Sequence, residues 1–286
     1  MACLFPIRLK APKPCFRGQF IDVPCGKCCE CLRKRANDWF LRLKFEQKLW
    51  KFTYWIGLSY DNSTLVFDPK SDDLPRLSKR DVQLFFKRLR KSKVFGDKIR
   101  YFLVGEYGDK YLRPHYHLIL FSDVEFTCQD GHDALMPIWE LGFVTFDLVS
   151  DRRLRYVSKY SLKVANPFLE FPVPQFMLCS KRPYIGHNYV EMYKEHHLSS
   201  PSPLAVKFSP FNYSLPRIFK EKIYDTEEIK SSYRRVCIRD FICRSDRIYR
   251  RFFRDGQEQL YHQLYSPFRR QDEFIRSIFN SKRFNR

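Results

Sequence analysis

Long apolar runs are missing from this chain. No stretch approaches the roughly 20 apolar residues that a membrane-spanning helix needs, and no basic amphipathic helix marks a surface anchor. The N-terminus runs into Pro6, Arg8 and Lys10 without an apolar core segment, so no secretion signal is expected and an intracellular chain is. No G-x-x-x-x-G-K-S/T loop is present, so nothing points to the phosphate cradle of an ATP-driven enzyme. Acidic side chains are the scarce sign: 32 Asp and Glu stand against 52 Lys and Arg, a formal net charge of +20. Such a balance implies a polyanionic partner, nucleic acid first and a membrane surface second.

Aromatic residues are plentiful at 17%, enough to fill a core and leave rings for base stacking. With 286 residues the chain can bury a sizeable core, as one domain or one domain with appendages. Its 10 cysteines would suit a disulfide-stapled protein by count. Four of them crowd into residues 25–31, however, and a core-rich chain needs no staples, so reduced thiols are expected. Cys25, Cys28 and Cys31 form a C-x-x-C-x-x-C series suited to Zn²⁺ as thiolate ligands. A fourth ligand is not local, and Cys3 or Cys15 could supply it. The other reading is a cysteine-rich turn packed on the core, because no second Cys pair stands at zinc-ribbon spacing.

The strongest pattern is residues 99–121, two apolar aromatic runs around a turn-rich segment holding Gly105, Gly108, Asp109 and Pro114. This spacing predicts a β-hairpin. Alternation along its second strand sends His115 and His117 to one face and Tyr116 to the other. Glu106, at the end of the partner strand, can add an oxygen ligand. Two imidazoles and a carboxylate with open positions left over suit Mg²⁺ or Mn²⁺ holding a phosphate. Unpaired imidazoles would be costly in so apolar a strand, which favours a metal over mere decoration.

Around this hairpin, residues 1–23 read as Pro-rich and irregular, Leu32–Trp50 as a helix with a basic side, and 52–60 as a strand followed by a loop to Pro75. Ser78 is a good N-cap for a helix over 79–91 with Val82, Phe85, Phe86 and Leu89 on its apolar face. The opposite side carries Lys79, Arg80, Lys87, Arg88, Arg90 and Lys91, nearly all one sign, which fits phosphate contact. Residues 122–137 read as a polar loop holding Cys128 and His132, Phe143–Phe146 as a strand, and 150–163 as a helix stopped by Pro167, Pro172 and Pro174. From about 216 the chain reads as helical and basic. In the 150–163 helix Tyr156 and Tyr160 lie one turn apart with Lys159 and Lys163 beside them. A phenol is ionised to only about 0.1% at neutral pH, and neighbouring lysines favour the phenolate or neutralise the phosphate it attacks. A metal-binding hairpin with a Tyr-Lys-Tyr helix supplies the parts for breaking a phosphodiester by transesterification.

From about residue 20 to 195 the sequence resembles the replication initiators of gokushovirus-like microviruses and, more broadly, the HUH endonucleases. The motifs that carry the likeness are Val-Pro-Cys-Gly-Lys-Cys-x-x-Cys at 23–31 with Trp39, Leu58-Ser59-Tyr60-Asp61, and Gln83 to Arg90. Gly105-Glu106-Tyr107-Gly108, Arg113-Pro114-His115-Tyr116-His117, Tyr156-x-x-Lys159-Tyr160 and Ser180-Lys181-Arg182-Pro183-x-Ile185-Gly186 follow in order. The run Ile56-Gly57-Leu58-Ser59 departs from a usual Thr-rich strand, and Tyr184 stands where Gly is usual.

The resemblance implies an α+β fold, a central antiparallel sheet flanked by helices (HUH endonuclease-like), with a helical basic C-terminal region. The expected division is a Cys-rich segment and helix over 1–50, a nickase core over 51–200 and the C-terminal region over 201–286. It also implies that His115, His117 and Glu106 hold catalytic Mg²⁺ or Mn²⁺, with Zn²⁺ structural at the cysteines. Tyr156 and Tyr160 would alternate as nucleophiles beside Lys159, leaving a 5′-phosphotyrosine and a free 3′-hydroxyl that primes rolling-circle replication. Arg113, Lys87, Arg88, Arg90, Lys163, Lys181 and Arg182 would contact DNA. The expected partners are single-stranded DNA at a phage origin, with host polymerase and helicase, in the cytoplasm of the bacterial host and with no membrane. A competing class is a basic nucleic-acid-binding protein with a structural zinc site that never cuts.

Overall fold

The structure, a computed structural model, describes residues 3, 5–15, 18–68, 71–108, 111–160, 173–199, 205–208, 211–229 and 231. The chain runs through β1 (Ile7–Cys15), β2 (Gly18–Val23), α1 (Cys29–Gln47), β3 (Phe52–Tyr60), β4 (Phe67–Asp68), β5 (Ser71–Pro75), α2 (Lys79–Ser92), β6 (Arg100–Tyr107) and β7 (Pro114–Ser122). It continues through α3 (Cys128–Trp139), β8 (Gly142–Leu148), α4 (Asp151–Tyr160), β9 (Phe176–Cys179), α5 (Asn188–Ser199), β10 (Ala205–Phe208), β11 (Phe211–Ser214) and α6 (Arg217–Ile223). Two compact units result, one of Met1–Arg35 with Lys194–Arg286 and one of Ala36–Tyr193.

The second unit is built on a five-stranded sheet in the order β8-β3-β7-β6-β9, each neighbouring pair antiparallel. It is α+β, a central antiparallel sheet flanked by helices, as expected. The predicted hairpin forms β6 and β7, with Glu106 opposite His115 and Val104 opposite His117. On the other side of β7, Ser59 faces His115 and Gly57 faces His117. Pleating then sorts the side chains. Tyr116, Leu118 and Leu120 join Tyr54, Ile56 and Leu58 in the main core, sealed by Val82, Phe85, Phe86 and Leu89 of α2 and by Trp139 of α3. Ser78 caps α2 as expected, its hydroxyl accepting from the Asp81 N–H. The opposite face is covered by α1, whose Trp39 ring lies 4.6 Å from that of Phe102, and by α4, which packs on β6 and β7.

Four expectations need correction. Residues 122–137 are not simply a polar loop, because α3 begins at Cys128, capped by Thr127 and burying Gly131, Leu135, Ile138 and Trp139. Gly131 serves packing here: a Cβ would stand 2.2 Å from the Phe146 ring, so only glycine lets the helix approach β8. The N-terminal stretch is a hairpin, β1 with β2, and its Pro12 and Pro14 fall in the register irregularity between Lys10 and Cys15, where no ladder donor is needed. The loop to Pro75 contains the small β4–β5 pair. In the C-terminal region a hairpin, β10 with β11, precedes α6. Residues 161–172 and 232–286 lie outside the described residues, and with them Lys163 and most of the C-terminal region. Among the described residues no helix is long and apolar enough to cross a membrane.

Candidate active site

One carboxylate oxygen organises the polar face of β7. Glu106 Oε1 lies 2.8 Å from His115 Nε2 and 3.0 Å from His117 Nε2. Glu106 and His117 are buried and His115 is partly open, so the cluster reaches solvent on one side. Strand pairing alone makes this arrangement, since Glu106 and His115 are register partners and His117 is the next residue on the same face.

These three residues fit a divalent metal. Their ligand atoms all lie within 4.8 Å of one another. Donors at right angles around one ion, each about 2.1 Å from it, sit about 3.0 Å apart, close to both contacts. The protons point the same way. A neutral imidazole has one N–H. His115 Nδ1 lies 3.1 Å from the Arg113 carbonyl, which only accepts, so that proton belongs on Nδ1. The Nε2 lone pair then faces a carboxylate oxygen, an arrangement that needs a cation between them, a second proton or a metal ion. A backbone carbonyl fixing the far nitrogen is also how metal-bound histidines are oriented.

Rings frame the cluster. Trp55 stacks beside His117 with centroids 5.8 Å apart and planes 27° apart, and Arg153 lies 4.8 Å from the indole centroid. Gly57 keeps this corner open, because a Cβ there would meet the Thr145 hydroxyl at 2.5 Å and the Trp55 ring at 3.4 Å. From α4 the half-buried Tyr156 meets His117 edge-on, ring centroids 5.5 Å apart. Tyr156 is thus beside the cluster, and Lys159 is exposed on the same helix. Tyr160 ends α4, and its side chain lies outside the described residues. Other phenols are placed differently. Tyr60 and Tyr116 share a 2.8 Å hydrogen bond in the core; burial first, then the neighbouring Tyr116 and Asp81, push the Tyr60 phenol far up, and burial pushes Tyr116 up to about 12.

The basic residues expected to meet DNA do not gather at this cluster. The Arg113 guanidinium is tied to the Tyr60 carbonyl at 2.8 Å and to the Asn62 side chain, bracing the entry to β7. Lys87, Arg88 and Arg90 ride on α2, across the sheet from the histidines. Lys87 and Arg90 are exposed, whereas Arg88 is turned inward onto the carbonyls of Ile138 and Trp139 at 2.7 and 3.2 Å. Lys181 and Arg182 are exposed and join Arg90 and Arg100 around a cavity of about 400 Å³ at the β9 edge. Their segment is anchored by α1: Glu46, fully buried, accepts from the Gly186 N–H at 2.7 Å and pairs with Arg100 at 2.6 Å. Gly186 has φ +78°, and a Cβ would meet the Arg42 carbonyl oxygen at 2.7 Å, so glycine is required. Sequence reasoning missed Trp55, Glu46 and Arg153. Only the placement of Trp55 two residues from Gly57, on one face of a strand, hinted at the first.

The sulfurs of Cys25, Cys28 and Cys31 come together, and Cys3 joins them; the Cys15 side chain lies outside the described residues.

Residues 53–165 match the ORF2-type family model of replication-associated proteins. The chain is 31% identical over 162 residues to the replication-associated protein ORF4 of Chlamydia phage 1, covering 49% of this chain and 38% of that one. It is 28% identical to the replication-associated protein VP4 of Bdellovibrio phage phiMH2K, over 60% and 58% of the two chains. A third relative, the replication-associated protein ORF2 of Spiroplasma virus 4, is 26% identical over 84% and 82%. The chain therefore spans less than two thirds of the length of the first two relatives. Among solved structures, the N-terminal nuclease domain of non-structural protein-1 of minute virus of mice aligns over 64% of this chain and 92% of that one, at 11% identity and a TM-score of 0.22, too slight a likeness to weigh.

Proposed function

Residues 53–165 of this chain belong to the ORF2-type family of replication-associated proteins, and from that premise we propose that it initiates rolling-circle replication of a phage genome by cutting one DNA strand. The reading rests on one observation: a ligand set of two imidazoles and a carboxylate, with a tyrosine ring 5.5 Å from one of the imidazoles. His115, His117 and Glu106 hold Mg²⁺ or Mn²⁺, which when bound supplies positive charge to the oxygens of the scissile phosphate.

The chain's own groups do the rest. The Arg113 carbonyl keeps His115 turned with Nε2 toward Glu106, and Trp55 backs the His117 ring. The Tyr156 hydroxyl oxygen attacks phosphorus, and the bond from phosphorus to the 3′ oxygen breaks. The phenol gives up its proton and the 3′ oxygen takes one up, so a 5′-phosphotyrosine and a free 3′-hydroxyl remain. Lys159, three residues on, brings positive charge to the same helix. Tyr160 is the second nucleophile, able to cut again after one round so that the freed hydroxyl closes a circle. Ester energy is kept throughout, so rejoining needs no ATP.

The substrate is single-stranded DNA at a phage origin, its backbone followed by Lys87, Arg90, Lys163, Lys181 and Arg182. The protein acts in the cytoplasm of a bacterial host, where the new 3′ end engages host polymerase and helicase. Labelled single-stranded origin DNA incubated with the protein and Mn²⁺ is expected to give an adduct that survives denaturation. Tyr156→Phe with Tyr160→Phe is expected to abolish it. An adduct undiminished in that double variant overturns the assignment.

A further inference from the structure

Away from the histidine cluster, the sulfurs of Cys3, Cys25, Cys28 and Cys31 lie within 4.8 Å of one another. Cys3 and Cys28 are 3.9 Å apart and Cys25 and Cys31 are 4.0 Å apart, two opposite edges of a tetrahedron. Four sulfurs each about 2.3 Å from one zinc ion stand about 3.8 Å from each other. Disulfide bonding needs about 2.05 Å, and all four thiols are free.

The backbone around them is arranged for sulfur carrying charge. The N–H groups of Phe5 and Cys25 point at Cys3 Sγ from 3.3 and 3.2 Å. The Cys28 N–H points at Cys25 Sγ from 3.3 Å. A turn of positive φ at Gly26, +74°, folds Cys25 and Cys28 toward one point. Merely packed thiols need neither the N–H donors nor convergence from two parts of the chain 22 residues apart.

We infer that Cys3, Cys25, Cys28 and Cys31 bind one zinc ion as a closed structural site that pins the base of the β1–β2 hairpin. Cys3 lies just before β1 and Cys25 just after β2, beyond the terminal pair Ile7–Val23. That hairpin is a two-stranded sheet with Ile7 and Leu9 each 47% exposed, and such a ribbon is marginal by itself. The ion replaces the missing core contacts with a cross-link, each thiol releasing its proton to solvent as it becomes a ligand. Four protein ligands leave no open position, so the site takes no substrate.

The test uses the full chain, purified under reducing conditions from zinc-containing medium. In the His115→Ala, His117→Ala variant, elemental analysis is expected to find about one zinc per chain, and X-ray absorption four sulfur neighbours at about 2.3 Å. In the unaltered chain loaded with Co²⁺, a strong sulfur-to-cobalt charge-transfer band is expected, and Cys3→Ser should weaken it. Zinc-free protein, a first shell of nitrogen and oxygen, or a cobalt spectrum without that band would each overturn the inference. This outcome is independent of the nicking reaction, which is read at the other site.

Discussion

Neighbouring residues of β7 serve opposite ends. Tyr116 points into the core, where its hydroxyl meets the Tyr60 hydroxyl at 2.8 Å and takes the Ser78 N–H at 2.9 Å. Tyr60 in turn donates to Asp81 at 2.8 Å. This network closes on itself, and burying it raises both phenols well out of reach of ionisation at neutral pH. One residue to either side, His115 and His117 present two nitrogens to a single carboxylate oxygen. That cluster is complete only with a cation. The difference teaches where to look for chemistry on a sheet: on the face whose polar atoms converge without enough protons to join them, not on the face with the finer network.

The comparison can be broken most sharply at the histidines. His115→Ala with His117→Ala is expected to cut adduct formation at least about 10³-fold, with stability falling by no more than about 2 kcal/mol in urea unfolding. Tyr116→Ala should do the reverse. Emptying a buried aromatic site costs about 3–5 kcal/mol, while Mn²⁺ bound per folded molecule, read by titration calorimetry, stays unchanged. If Tyr116→Ala instead removed Mn²⁺ binding at unchanged stability, the two faces would not be separate in function.

Sequence showed the histidine face because period-two alternation is local: His-x-His in an apolar run has one reading once the run is a strand. It showed α2 for a like reason, a four-residue apolar face and a serine cap. It did not show α3, where Gly131 and Pro137 imitate a loop and the need for glycine comes from Phe146, on another element. Nor did it show which residues frame the cluster. Trp55 reaches His117 only through the register that sets Gly57 opposite it, and Cys3 joins the other cysteines across the β1–β2 hairpin. Spacing within a segment was legible, whereas pairings between segments were not. The basic residues are the instructive case, since a one-signed helix face in sequence became, for Arg88, a brace on two carbonyls.

Trp55 gives a finer test of the open face. Its ring backs His117 and carries Arg153, so Trp55→Ala should loosen the imidazole and weaken Mn²⁺ binding about 10- to 100-fold, as losses of supporting groups around metal ligands do. Trp55→Phe, which keeps a flat ring, should restore most of it. A weakening equal for both variants would mean that the indole matters for something other than support of His117.

The smallest effect belongs to Ser78, where the closed face meets a helix end. Its hydroxyl accepts the Asp81 N–H at 3.1 Å, while its own N–H and carbonyl bond to the Tyr116 hydroxyl at 2.9 and 3.2 Å. Ser78→Ala removes only the first of these, because the other two are backbone groups that alanine also has. The expected cost is therefore that of a lost N-cap, about 1 kcal/mol in urea unfolding, with Mn²⁺ affinity and adduct yield unchanged. A larger loss would mean that the hydroxyl also holds Tyr116 in place. Any change in Mn²⁺ affinity would mean that strain on one side of β7 reaches the other, and the separation of the faces would then be one of degree.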